Sequence, residues 1–380
     1  MIHMKVTKVE TVRSKEPIML PEPWRAAWNE PSGKPTTSFG FSFHKVYTDE
    51  GIVGIGPYTR HPDPSSLEGL DPFRVEEFWN THMSGKGEGT SGSRAAGLEI
   101  ALWDIIGKAA DKPVHKILGA CRDKILVYAA TSRLLEKDQH VRQVVDIMNK
   151  GFKAVKLRLH RPDPWDDLAV VQAVREAVGD GIMILVDANQ NNKSEGYNYW
   201  SRGTALKMAE ELEKLNVYFM EEPLPRPDIE GLVAIASSVD MLIAGGEHSP
   251  TIYDFRDHAV KGAYDILQPD VILMGNMGIT GLRKVAIMAD YFGKLVVPHV
   301  LSNAHFPIVM AATLQAMATV ENCPMVEYPY DPPILTVDTM QTIAKEPILI
   351  DEDGFVKIPD KPGIGIEIDE AKLSENMVIS

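Results

Sequence analysis

Cysteine is nearly absent from this chain of 380 residues: only Cys121 and Cys323 occur. Two thiols make neither a disulfide framework nor a thiolate metal cluster, so any metal must be sought among oxygen and imidazole donors. Positive charge is also in deficit. Lys and Arg number 39 against 53 Asp and Glu, a formal net charge of −14, which argues against nucleic acid or an anionic membrane surface as a partner. No apolar run approaches membrane-spanning length. The opening MIHMKVTKVETV alternates like a strand and lacks the apolar stretch of a secretion signal, so the cytoplasm is the expected location.

Hydrophobic content of 44% and charged content of 24% suit a globular chain, long enough for two domains or a barrel with additions. The first segment alternates through KVTKVETV. After a Pro-rich excursion (Pro17 to Pro35), FGFSFHKVYTDEGIVGIGP holds two strand-like runs around a turn at Asp49-Glu50-Gly51. From about Pro72 to Leu118 the spacing becomes helical, as with Leu98, Leu102, Ile105 and Ile106.

From Lys124 the rhythm changes. Apolar runs begin at residues 125, 154, 183, 218, 241, 265, 294 and 325, with helical stretches such as DLAVVQAVREAVG between most of them. Eight strand–helix repeats of roughly 30 residues predict an α/β fold, a (β/α)8 TIM barrel. The polar NNKSEGYNYWSRG, between the third and fourth strands, reads as an enlarged loop. After about Thr336, PILIDEDGFVKIP is strand-like and is expected to rejoin the N-terminal sheet. The expected organisation is an α+β capping domain over 1–120, a barrel over 121–335, and a segment over 336–380 returning to the cap.

Barrel chemistry sits at the C-terminal ends of the strands. Those ends carry Lys156 and Arg158, Asp187 and Asn189, Glu221 and Glu222, Glu247 and His248, Asp270, His299 and Glu327. Asp187, Glu221 and Glu247 close three successive strands and place three carboxylates around one mouth, where a cation must offset their repulsion. All-oxygen ligation suits Mg2+ better than zinc. The plainer alternative is that each acid caps the helix that follows. Lys156 and Arg158, two apart on a strand, share the inward face and would neutralise a substrate carboxylate. Asp270 and His299 end neighbouring strands, where the acid orients the imidazole and makes it a general base; alone, such a His is as readily structural.

The series KLR, VDAN, MEEP, GGE, QPD and VPH, with SRAAGLEIALWDIIGKAADKPVHKILG upstream, resembles the enolase superfamily in its mandelate racemase-like branch, over nearly the whole chain. The resemblance implies Mg2+ on Asp187, Glu221 and Glu247, Lys156 as the first lysine of a Lys-x-Lys motif, and a His299–Asp270 dyad. It also implies Glu327 bound to the substrate carboxylate or enolate, and Asn189 in contact with substrate. The implied chemistry is α-proton abstraction from a carboxylate through an enediolate held by the metal. The expected partners are a small-molecule carboxylate, a sugar acid, and further copies of the chain in a homo-oligomer.

Arg158 departs from the pattern, because racemases of the branch carry a second lysine there. A guanidinium stays protonated and is no base. A racemase needs a base on each face of the substrate carbon, whereas elimination of water needs one His acting as base and then as acid. Dehydration of an aldonate or aldarate is therefore the leading expectation, racemisation of a 2-hydroxy acid the second, and a non-catalytic binding protein the third. His160, on the same strand face, is a second base or a sugar contact. Over the mouth, Trp24, Arg25 and Trp28 in the Pro-rich loop, with Tyr58 and Arg60, are candidate substrate contacts or simple packing. GNMGITG (275–281) lacks dinucleotide-loop spacing and reads as a strand-to-helix turn.

Overall fold

In the computed structural model, β1 (Val6–Ser14) is the centre of an N-terminal sheet. The structure describes residues 4–61, 63–86, 94–191, 199–275, 277–303, 305–369, 371–372 and 377–379. The Pro-rich excursion forms its own ribbon of β2 (Ile18–Trp24) and β3 (Thr36–Phe39). β4 (Ser42–Thr48) then turns at Gly51, φ 76°, into β5 (Val53–Pro57), and β4 pairs antiparallel with both β1 and β5. The helical region yields α1 (Val75–His82), α2 (Ala96–Ala109) and α3 (Val114–Leu118).

α2 is buried at every position from Ala96 to Gly107, because the sheet covers one side and the barrel the other. Two glycines permit this approach: a Cβ on Gly56 of β5 would lie 1.8 Å from the carbonyl oxygen of Gly97 of α2.

The barrel strands are β6 (Lys124–Ala130), β7 (Ala154–Arg158), β8 (Met183–Asp187), β9 (Val217–Glu221), β10 (Leu242–Gly245), β11 (Ile266–Leu267), β12 (Leu295–Val296) and β13 (Val326–Pro329). Every apolar run picked out in the sequence overlaps one of them. Helices follow seven strands: α4 (Lys137–Asn149), α5 (Pro164–Val178), α6 (Arg202–Lys214), α7 (Ile229–Ala236), α8 (Ile252–Lys261), α9 (Gly278–Tyr291) and α10 (Phe306–Met317). After β13 comes only the single turn α11 (Val337–Met340). The sheet runs β12-β11-β10-β9-β8-β7-β6-β13 with parallel neighbours. The Val296 N–H donates to the Asn322 carbonyl at 3.0 Å, tying the seventh strand to the chain that enters the eighth. Most of the polar NNKSEGYNYWSRG stretch, residues 192–198, lies outside the described residues.

Part of the C-terminal segment departs from expectation. β14 (Phe355–Lys357) pairs antiparallel with β6 of the barrel, whereas the Ile364 amide donates to Asp104 of α2 at 2.9 Å and β15 (Met377–Ile379) returns to β1. The barrel's first strand offers a free edge to an incoming strand at Lys124–Leu126, below the level where β13 and β7 occupy it. Among the described residues no helix is long and apolar enough to cross a membrane.

Candidate active site

Strand periodicity builds the site as a polar layer on an apolar plug. Tyr128, Ala154, Leu185, Phe219, Ile266, Val297 and Met325 form one buried cluster inside the barrel. Two residues beyond six of them, and so on the same inward face, stand Lys156, Asp187, Glu221, Gln268, His299 and Glu327. The plug lies beneath the polar layer, and Trp28 of the N-terminal segment approaches that layer at Arg158.

The helix-capping alternative fails on position. α6, α7 and α8 are capped by the side chains of Ser201, Asp228 and Thr251, each downstream of the strand-end acids. Asp187, Glu221 and Glu247 are left to the barrel mouth, all buried.

Lys156 Nζ lies 2.6 Å from Glu221 Oε2, 2.9 Å from Glu327 Oε1 and 4.0 Å from Asp187 Oδ2. Burial opposes its charge, but Glu221 and Glu327 outweigh burial and raise its pKa. Arg158 grips Asp187 with one terminal nitrogen, approaches Glu327 at 3.8 Å with the other, and donates from Nε to the Thr131 carbonyl at 2.7 Å. Asp187 is further engaged by Asn189, whose backbone and side-chain nitrogens reach it at 2.7 and 2.9 Å. Asn189 and Glu222 both adopt left-handed backbone, φ 49° and 47°, a strain that persists where the surroundings over-determine it.

On the opposite wall His299 Nδ1 is 2.6 Å from Asp270 Oδ2. Its Nε2 faces Glu247 Oε2 at 3.4 Å and Glu327 Oε2 at 3.9 Å. Burial lowers the imidazole pKa, yet Glu247, Glu327 and Asp270 together push it up to about 10. Glu327 moves the other way: burial raises it, and Lys156, His299 and Arg158 draw it down to about 2. Burial raises Asp187 and Glu221, with further repulsion from Glu221 on Asp187 and from Glu327 on Glu221. Glu247 is lowered, His299 and His248 overcoming burial.

Asp187, Glu221, Glu222, Glu247, Asp270 and Glu327 are six buried carboxylates against two fixed cations, Lys156 and Arg158. That balance calls for an added cation. Glu221 Oε1, Glu222 Oε2 and Asn189 Oδ1 are buried without a hydrogen-bond partner, so oxygen donors remain open, and a hard divalent ion such as Mg2+ fits them. Among the described residues a compact donor group also joins Glu247 to its neighbours. Glu222, Glu247 and His248 have ligand atoms within 4.8 Å of one another, while Arg158 and Lys156 engage Asp187 and Glu221.

The cap residues divide. Trp24 is engaged in packing: its indole N–H donates to Ser132 Oγ at 2.9 Å and its ring meets those of Trp28 and Phe39 in T-shaped contacts. Buried in that cluster, it presents no polar atom to the mouth. Trp28 reaches the site instead, with the Arg158 guanidinium 4.9 Å from its ring centroid. Arg25 pairs with Glu30. Tyr58 receives a hydrogen bond from Arg13 at 3.3 Å and, with Arg60, lines a cavity beside the loops that follow β11 and β12. His160 is buried beside the Ala188 backbone, and burial lowers its pKa to about 4. Gln268, with both amide atoms buried and unpartnered, escaped the sequence reading. The signal was available, since it stands two residues before Asp270 on the inward face.

Residues 35–119 match the family model "Mandelate racemase / muconate lactonizing enzyme, N-terminal domain", and residues 139–372 match "Enolase C-terminal domain-like". The chain is 28% identical to an L-talarate/galactarate dehydratase of Salmonella typhimurium, over 89% of this chain and 82% of that protein. It is 32% identical to an arabinonate dehydratase of Saccharolobus solfataricus, over 74% and 71% respectively. The structure superposes on a racemase from Streptomyces coelicolor A3(2) with bound magnesium at a TM-score of 0.80, 26% identity, covering 98% of this chain and 100% of that one.

Proposed function

Because this chain belongs to the mandelate racemase and muconate lactonizing enzyme family of the enolase superfamily, we propose that it dehydrates a sugar acid, an aldonate or aldarate, to a 2-keto-3-deoxy acid. The observation that carries this reading is the presence, among the described residues, of a single well-placed base. His299 sits on one wall, its tautomer held by Asp270, and nothing basic stands opposite. Arg158 stays protonated. Lys156 is held as an ammonium by Glu221 and Glu327, and His160 is turned against Ala188 as a weak proton acceptor.

One imidazole suffices for elimination. Glu247 and Glu327 raise His299, and a cation held at Glu247 would offset them and leave the imidazole neutral. His299 then takes the C2 proton through Nε2, and as imidazolium it returns that proton to the departing C3 hydroxyl. Water leaves, and the enol left behind becomes the 2-keto acid. Lys156 and Arg158 stabilise the negative charge that moves onto the substrate carboxylate, and Glu327 orients Lys156 and the loop amide of Val300, which donates to it at 3.0 Å. Asp187, Glu221 and Glu247 would hold Mg2+, with Glu222 alongside, and the ion would bind the substrate carboxylate and act as a Lewis acid. The relatives that dehydrate talarate, galactarate and arabinonate support the reaction class. The magnesium-bound racemase supports the ion. The test is a screen of the protein with Mg2+ against aldonic and aldaric acids of four to seven carbons, reading 2-keto acid. Racemisation of a simple 2-hydroxy acid with every sugar acid refused would overturn the reading.

A further inference from the structure

A cavity of about 350 Å³ opens at the seam between cap and barrel, lined by Tyr58, Thr59, Arg60, Arg94, Ile272, Leu273, Gly275, Leu301, Asn303 and His305. Its barrel wall is the continuation of the dyad. The Ile272 and Leu273 amides donate to Asp270 Oδ1 at 2.6 Å each, and Leu301 lies two residues beyond His299. The cavity lies within the size range of small-molecule sites.

Its charge is the informative property. In a chain of net charge −14, the described residues of this wall include two arginines and no carboxylate. Among the described residues neither Arg60 nor Arg94 has an ion-pair partner, whereas other polar groups of the wall are already engaged. Tyr58 Oη accepts from Arg13, Thr59 Oγ1 accepts from the Gly97 amide, and His305 is bonded to Ser42 and Asn303. Two guanidiniums with no ion-pair partner among the described residues, beside a cavity, are suited to a carboxylate, which they bind with charge-assisted, bidentate geometry. A terminal hydroxymethyl group gains far less from them.

We propose that Arg60 and Arg94 bind the distal carboxylate of the substrate, so that the enzyme's acids are aldaric, with a carboxylate at each end, and not aldonic. The assignment rests on the dehydration reading. One end of the acid lies between Lys156 and the metal ligands, the chain crosses His299, and the other end enters the arginine cavity.

The experiment compares kcat/KM for aldaric and aldonic acids of equal length and configuration, in the wild type and in Arg60→Gln, Arg94→Gln and the double variant. The wild type is expected to favour the diacid by at least about tenfold, and the double variant to lose about tenfold or more of that ratio, mainly through KM. Both arginines are exposed, so the variants are expected to fold. Aldonates turned over as well as aldarates, or a preference unmoved in the double variant, overturns the assignment while leaving dehydration intact. Refusal of both classes overturns the dehydration reading and this assignment with it.

Discussion

His299 and Asp270 are joined twice: Nδ1 lies 2.6 Å from Oδ2, and the two residues are backbone partners in a parallel bridge between the ends of β11 and β12. The second Asp270 oxygen accepts the Ile272 and Leu273 amides, so the carboxylate is fixed before it touches the imidazole. Asp270→Asn keeps the shape but offers an amide that can donate to Nδ1, and it removes one of the charges supporting the imidazolium. Turnover is expected to fall by about 10²–10⁴-fold with little change in melting temperature. Near-normal turnover in this variant contradicts the dyad.

Glu221 has one oxygen on Lys156 and one buried without a partner. Glu221→Gln removes a ligand charge and half the grip on Lys156. Activity is expected to fall by more than the roughly 10–100-fold typical of outer-shell changes at metal sites, while circular dichroism stays native. Stripping the metal from wild type should abolish turnover, and Mg2+ should restore it. Full activity in the variant, or after chelation, removes the metal assignment.

Two buried histidines and one half-buried histidine predict a loss of stability in acid. His44, His140 and His305 are each lowered to about 4 from their ordinary value, chiefly by burial. A depressed imidazole contributes its full stability above the unfolded pKa of about 6.5, and loses it as pH falls toward 4. At one site the ceiling is about 3 kcal/mol, from about 1.4 kcal/mol per pH unit. His44 bridges Thr11 and the Thr59 carbonyl, and His44→Gln retains a donor there. Urea midpoints of the variant should fall less steeply than wild type between pH 6.5 and 4. Parallel slopes contradict the assignment.

Close packing between β5 and α2 supplies a test of the cap. Gly56→Ala drives a methyl group into the Gly97 carbonyl and is expected to cost about 1–3 kcal/mol. Gly40→Ala, where a Cβ meets nothing within 4 Å, is the control. Equal melting temperatures for the two variants contradict the packing described.

Period and spacing carried much of this structure into view. Eight apolar runs at roughly 30-residue intervals disclose the parallel barrel, and alternation alone puts Lys156 and Arg158 on the face that meets Asp187. Side-chain partners are another matter, because they come from residues distant in sequence. Nothing in the Pro-rich loop reveals that Trp24 donates to Ser132 while its neighbour Trp28 covers Arg158. The strand at Phe355–Lys357 reads identically whether it joins the cap sheet or β6; only the unfilled edge of β6 decides. The engagement of Asp187 by Arg158, and the grouping of Glu222 with Glu247 and His248, likewise arise from where adjacent strands set their ends.

The most direct measurement is exchange of the substrate's C2 proton in D2O, followed by NMR with Mg2+ present, in wild type, His299→Asn, Arg158→Met and His160→Asn. If His299 is the base, exchange and turnover both vanish in His299→Asn. Arg158→Met should retain slow exchange, and His160→Asn should retain most of it. Exchange that survives loss of His299 and disappears in His160→Asn would place the base on β7 and contradict the account.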